Sequence, residues 1–292
     1  MYADLSIPHQ KGKEVVQRFR WIPAGTFMMG SLHDETERFS DEDYHKVTLT
    51  KGYWLADTAV TQGAWQAITG KNTTDLKYYE QNPVVQVSWD DVQEFIVKLT
   101  RRMQRTEDAK GSMLFRLPTE AEWEHACRAG TETPFSFGAN ITPEQVKYDK
   151  NYPYADGEKG RYREATAPVV TVPVKFFPPN PWGLYEMHGN VWEWCADTWQ
   201  EHLGEQAVSD PYNDDTDSYR VVRGSSFFGH GRHVRSACRH HDSLGNNNLG
   251  FRLALGHELR PHGGARNDES SKLDKVGGLG SSRLGTKKLG EL

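Results

Sequence analysis

Residues 225–241, SSFFGHGRHVRSACRHH, place His230, His233, Cys238, His240 and His241 close together in the chain. Imidazole suits zinc, copper or nickel, and a thiolate suits a soft ion. No predicted helix gathers these side chains, so scattered surface histidines are favoured over a metal site. Glu120, Glu122 and Glu124 in LPTEAEWEHACRAG invite comparison with acid–base pairs. Alternate helical positions do not share a face, which favours capping and solvation for them instead. The stretch SLHDETERFSDEDYH is acidic enough to hold calcium, but it lacks the glycine that an EF-hand loop needs at its sharp bend. It is expected to be a solvated loop.

Three helices must position these groups. Thr61 and Gly70 bracket VTQGAWQAITG as N-cap and C-terminal stop. Ser88 starts a helix whose Val92, Phe95, Ile96, Leu99 and Met103 recur at helical spacing. Thr119 and Glu122 form a capping-box pattern, and Gly130 ends that third helix. Short strands and turns precede them, as in VVQRFRWIPAG. After Gly130 the chain is rich in Pro, Gly, Tyr and Trp, with few periodic runs. The four tryptophans of FFPPNPWGLYEMHGNVWEWCADTW are expected in the core.

The 292 residues are 36% apolar and 11% aromatic, enough for a sizeable core. A net charge of −5 gives no general electrostatic reason to expect nucleic acid or an anionic membrane as partner. Cys127, Cys195 and Cys238 are odd in number and widely spaced, unlike a disulfide scaffold or a C-x-x-C zinc site. No stretch approaches the length of a membrane span and the N-terminus has no apolar signal core. A soluble cytoplasmic product is expected. Residues 1–14 read as an N-terminal extension, 15–256 as the domain, and 257–292 as a flexible tail without aromatic residues.

The blocks GTFMMGS, NPVVQVSWDDVQEF, RLPTEAEWEHACRAGT, PNPWGLYEMHGNVWEWCADTW, RVVRGSSF and NLGFRLA occur in order between about Phe19 and Leu255. Together they resemble the formylglycine-generating enzyme (sulfatase-modifying factor) family. The resemblance implies an α+β, C-type lectin-like fold with little regular secondary structure. Family oxidases bind copper(I) through two cysteines after the RGGS turn. Gly229 and Val234 stand at those positions here, with Cys238 alone farther on, so no copper and no oxidase chemistry are expected. The iron-dependent sulfoxide synthases of the family carry histidines on an additional N-terminal helical domain; about twenty residues precede the fold in this sequence, so that chemistry is not expected. The resemblance further implies a structural calcium held by Glu186, the carbonyls of Gly189 and Val191, and Glu193. A second calcium position would fall near Asn151 and Arg161 to Arg163, where arginine replaces an acidic ligand.

The fold also houses the variable proteins of diversity-generating retroelements, whose C-terminal block is rewritten at adenines. Residues 220–254, RVVRGSSFFGHGRHVRSACRHHDSLGNNNLGFRLA, are similar to such a rewritten block. RVVRG, RSA, Arg239 and NNNLGFRLA make its frame, and Phe228, Gly229, His230, His233, Cys238, His240, His241, Asp242 and Ser243 stand at asparagine-like positions. Changing the adenines of AAC or AAT yields all of these residues and never Lys, Glu, Gln, Met or Trp. Residues 227–248 contain none of those five. Ser225 and Phe227 depart from the usual Gly and Trp, and adenine changes explain neither. The expectation is a noncatalytic binder whose Phe228, His230, Arg232, His233, Cys238, His240, His241 and Asp242 share one exposed face and meet a protein or other macromolecular target. The alternatives are an enzyme of the family with an altered active site, or a generic noncatalytic member.

Overall fold

A computed structural model describes residues 1–9, 13–73, 79–103, 113–157, 170–215 and 219–261, together with the backbone of 287–288. The helix starts follow the predicted chemistry. The Thr61 hydroxyl accepts from the Ala64 amide at 3.1 Å ahead of α1 (Gln62–Thr69), and Gly70 closes α1 at φ 76°. Ser88 accepts from the Asp91 amide at the start of α2 (Trp89–Met103), whose Val92, Phe95, Ile96 and Leu99 are buried. Thr119 and Glu122 form a reciprocal capping box on α3 (Glu120–Arg128). That helix ends one residue earlier than expected, on Ala129 at φ 49°, with Gly130 following at φ 87°.

The strands are β1 (Tyr2–Pro8), β2 (Glu14–Ile22), β3 (Gly25–Met29), β4 (His45–Leu49), β5 (Tyr53–Ala56), β6 (Leu114–Arg116), β7 (Trp192–Thr198), β8 (Val208–Ser209), β9 (Arg220–Arg223), β10 (Arg239–Asp242), β11 (Leu249–Gly250), β12 (Ala254–Gly256) and β13 (Lys287–Lys288). They form three sheets, ordered β13-β1-β2-β5-β12-β6, β10-β9-β7-β11 and β3-β4-β8. The late strand β12 pairs antiparallel between β5 and β6, tying the end of the 220–254 block to the first third of the chain. Such long-range pairing leaves little freedom to the block's two ends.

Residues 1–14 are not an extension. Ala3, Leu5 and Ile7 alternate into the core of the first sheet while β1 pairs along its whole length with β2. The period-two pattern of YADLSIP is what drives this burial. The other end also shifts, because His257 accepts from Arg116 through its carbonyl and Leu259 packs on the core. The remainder of the expected tail, 262–286 and 289–292, lies outside the described residues.

The main core joins β1, β2, both first helices and the end of the block, with Trp65 stacked on Phe95 at 5.2 Å and Phe251 edge-on to both. Of the four tryptophans expected in the core, Trp194 alone is fully enclosed. Trp182, Trp192 and Trp199 are half-buried, each leaving part of its ring at a surface.

Candidate ligand-binding site

The site rests on arginines that the chain buries at the two ends of adjacent strands. Arg223 closes β9 and faces Arg239, which opens β10, in antiparallel register. Two such cations side by side need carboxylates, and Glu120 and Glu124, one turn apart on α3, supply them. Arg223 reaches Glu120 at 2.6 Å and Glu124 at 2.5 Å, and Arg239 holds both oxygens of Glu120 at 2.6 and 3.0 Å. Burial alone would raise the Glu120 carboxyl, but Arg239 and Arg223 outweigh it and hold it below its ordinary value. The expected solvation of the triad is therefore corrected. Glu122 caps the helix and pairs with Arg116, whereas Glu120 and Glu124 are buried counter-ions on the other face.

The acidic loop is corrected in the same way. Arg235 has no exposed side-chain surface and binds Glu42 through both terminal nitrogens, at 2.8 and 2.5 Å, and Glu35 at 2.6 Å. Its neighbour Arg239 donates to the Asp41 carbonyl at 2.9 Å. The loop supplies the carboxylates that neutralise Arg235, so it folds onto the block instead of into water. Between these anchors the Phe39 ring lies flat against His233 at 5.5 Å and under the Arg232 guanidinium at 3.9 Å. A fourth frame arginine, Arg252, makes a two-pronged pair with Glu193 at 2.6 and 2.8 Å.

Above this layer opens a cleft of about 430 Å³, lined by Phe39, Asp41, Trp192, Ser225, Ser226, Phe228, Gly229, His233, Cys238, Arg239, His240 and Asn248. Phe228 is 48% exposed and forms one lip, and His240 is exposed beside Trp192 at 5.5 Å. His233 accepts the His230 amide through Nδ1. Burial lowers its pKa to about 4, helped by His230 and Arg232, and burial lowers that of His240 too. Both rings are neutral at physiological pH. The fold therefore brings Phe228, His233 and His240 to one opening.

Four other expected contact residues flank the cleft without lining it. His230 stacks on Tyr152 at 4.0 Å, Arg232 covers Phe39, and His241 sits between Trp199 at 4.8 Å and Tyr219 at 4.7 Å. Asp242 is spent on its own turn, accepting the Ser243 and Leu244 amides at 2.7 Å. Cys238 is a correction, since its side chain is 1% exposed and burial pushes the thiol up to about 12. It packs as a small apolar residue. Phe39, Asp41 and Trp192 are cleft residues that sequence reasoning missed; their distance from the block in the chain gave no local signal.

The two carboxylates expected as calcium ligands have protein partners. Glu193 is committed to Arg252 and to the Trp123 indole at 2.7 Å, and Glu186 accepts the Lys175 and Phe177 amides at 3.1 and 3.3 Å. The Gly189 carbonyl accepts the Val191 amide at 2.9 Å. A calcium ion at these four residues would have to share both carboxylates with those partners. Residues 161–163 of the second expected position lie outside the described residues. Among the described residues, no three His, Cys, Asp or Glu side chains cluster as a metal site, and His230, His233, His240 and His241 are no exception.

At the positions of the family's copper ligands, Gly229 lines the cleft and Val234 is wholly buried in a cluster with Phe135 and Tyr154. A Cβ on Gly229 would lie 2.0 Å from the Ser225 hydroxyl, so the serine occupies the space of a side chain at 229. Ser225 itself stands at φ 62°, a conformation that favours glycine.

A formylglycine-generating enzyme from Mus musculus is 30% identical over 227 residues, covering 73% of this chain and 54% of its own length. An inactive C-alpha-formylglycine-generating enzyme 2 from Bos taurus is 28% identical over 227 residues, covering 74% of this chain and 64% of its own length. The chain thus spans little more than half the length of the curated relatives it matches. Among solved structures, Treponema denticola variable protein 1 superposes with a TM-score of 0.69 at 25% identity, covering 88% of this chain and 99% of that one. The architecture is the α+β fold shared by formylglycine-generating enzymes and C-type lectin-like proteins, and a variable protein is among the solved structures the chain resembles. The model of the sulfatase-modifying factor enzyme 1-like domain matches residues 6–256, and the chain belongs to that family.

Proposed function

We propose that this chain is a noncatalytic ligand-binding protein that displays a diversified surface on its scaffold, as a variable protein of a diversity-generating retroelement, and that its partner is a protein. One observation carries the reading. Within a single stretch of about 35 residues, the frame arginines 223, 235, 239 and 252 are at most 5% exposed and bound to carboxylates, while Phe228, His233 and His240 at asparagine-like positions open onto the cleft. Fixed residues hold the backbone, and the replaceable ones, the buried Cys238 excepted, are at least partly exposed. That is the economy of a recognition loop on a rigid support. The family contains active and inactive members, so membership alone leaves catalysis open. The absence of thiols at 229 and 234 supports the noncatalytic reading, as does the enclosed Cys238. No helix among the described residues is long and apolar enough to cross a membrane.

The test lies in the DNA beside the gene. A near-repeat of the codons for residues 220–254 that differs mainly at adenines, next to a reverse transcriptase gene, is the expected finding. Its absence from the complete locus would sink the diversification reading.

A further inference from the structure

We propose that the cleft receives a basic side chain, lysine or arginine, presented by the protein partner. This deepens the ligand-binding reading and rests on it. The argument starts from the polar groups the cleft leaves unused. Arg239 is the one guanidinium that lines it, and all five of its N–H donors are consumed by Glu120 and the carbonyls of Asp41, Gln200 and Glu201. Its charge is offset by the Glu120 carboxylate. Asp41, on the same wall, is the reverse case. It is half-buried, no salt bridge or side-chain hydrogen bond among the described residues holds its carboxylate, and burial raises its pKa, partly offset by the nearby Arg239 and by its own backbone amide. The Ser225 hydroxyl is wholly buried in the lining and has no hydrogen-bond partner there either.

What is left for a ligand is therefore the Asp41 carboxylate and the rings of Trp192 and Phe228, the Ser225 hydroxyl lying beneath the surface. A carboxylate beside aromatic faces is the receptor chemistry of a cation, through charge-assisted hydrogen bonds and cation–π attraction. The two imidazoles do not oppose it, because both are neutral at physiological pH. An acidic group would meet the opposite situation: an unpaired carboxylate and no free cationic donor in the lining. Arg232, which has no carboxylate partner among the described residues, lies outside the lining and over Phe39. The protein's net charge of −5 favours a basic partner surface at longer range.

The experiment titrates the full chain with fluorescein-labelled Gly-Gly-Lys-Gly-Gly, with its ε-acetyl-lysyl counterpart, with the glutamyl counterpart, and with free spermidine. The lysyl peptide is expected to bind about tenfold or more tightly than the acetylated one. Asp41→Asn should abolish that preference while leaving the melting temperature unchanged, since the carboxylate has no side-chain partner to lose. Trp192→Leu is the second variant and should weaken the lysyl peptide alone. Equal binding of the lysyl and acetyl-lysyl peptides, preference for the glutamyl peptide, or no binding at millimolar peptide overturns the proposal. Binding of spermidine without the lysyl peptide overturns the protein-partner assignment. A locus without a near-repeat would remove diversification and leave this titration unaffected, so the two failures are distinguishable.

Discussion

Glu42 and Arg235 meet in an ion pair with no exposed side-chain surface on either partner, across 193 residues of chain. The pair fastens the acidic loop beneath the 220–254 block and fixes where the cleft's walls stand. Removing one partner leaves a buried charge without compensation, which typically costs about 3–5 kcal/mol. Glu42→Ala and Arg235→Ala are each expected to lower stability by about that amount in chemical denaturation. If the double variant is less destabilised than the two single losses added together, the pair is coupled as described. Additive losses would refute the coupling.

Scaffold and site should separate cleanly on mutation. Trp194 is fully enclosed and its indole donates to the Val87 carbonyl at 3.0 Å, so Trp194→Ala is expected to cost about 3–5 kcal/mol. Phe228→Ala and His240→Ala, at exposed positions on the cleft, should stay within about 0.5 kcal/mol of the parent. Cys238→Asp should behave like the tryptophan and not like the histidines, because a charge there would be buried. Denaturant midpoints measured side by side decide this, and comparable losses in both groups would contradict the division.

Asp197 gives the fold a pH signature. Burial, reinforced by Glu120, raises its pKa to about 8, far above the value of 3.8 that an exposed aspartate has. The folded state therefore holds a proton there that the unfolded state releases. The stability it contributes is complete below about pH 4 and declines until about pH 8, where the folded carboxyl also ionises. Asp197→Asn keeps an oxygen for the Glu120 amide and removes the titration. Its stability relative to the parent should improve from pH 5 to pH 8. An unchanged difference between variant and parent across that range would show that Asp197 is not protonated in the fold.

Ser225 and Gly229 should be energetically linked. Ser225→Gly relieves a left-handed residue and removes a buried hydroxyl without a hydrogen-bond partner, and is expected to stabilise by about 1 kcal/mol. Gly229→Cys must displace the Ser225 hydroxyl and should destabilise the parent but be tolerated in the Ser225→Gly background. A double-mutant cycle over the two positions reads this directly. An equal cost of Gly229→Cys in both backgrounds would show that the two positions do not compete.

The native chain is expected to form no formylglycine on a sulfatase-type cysteine peptide supplied with copper(I) and oxygen. Mass spectrometry of the peptide checks it. Product that depends on Cys238 would place the chain among the oxidases.

The sequence by itself determined the parts whose physics is local. Thr61, Ser88 and Thr119 announced their helices because a cap and the amide it binds are neighbours in the chain, and the apolar period of 92–99 named the buried face of α2. The division of 220–254 into frame and asparagine-like positions was likewise read from a pattern of residue types alone. Only the tertiary structure decided what each charge meets. Glu120 and Glu124 looked like solvated helix surface until Arg223 and Arg239 arrived from β9 and β10, and the acidic loop looked free until Arg235 required Glu35 and Glu42. The same folding moved Cys238 from the expected face into the core and brought Asp41 and Trp192 to the cleft. A buried ion must find its counter-ion wherever the chain carries one, and nothing in local spacing says how far along the chain that is.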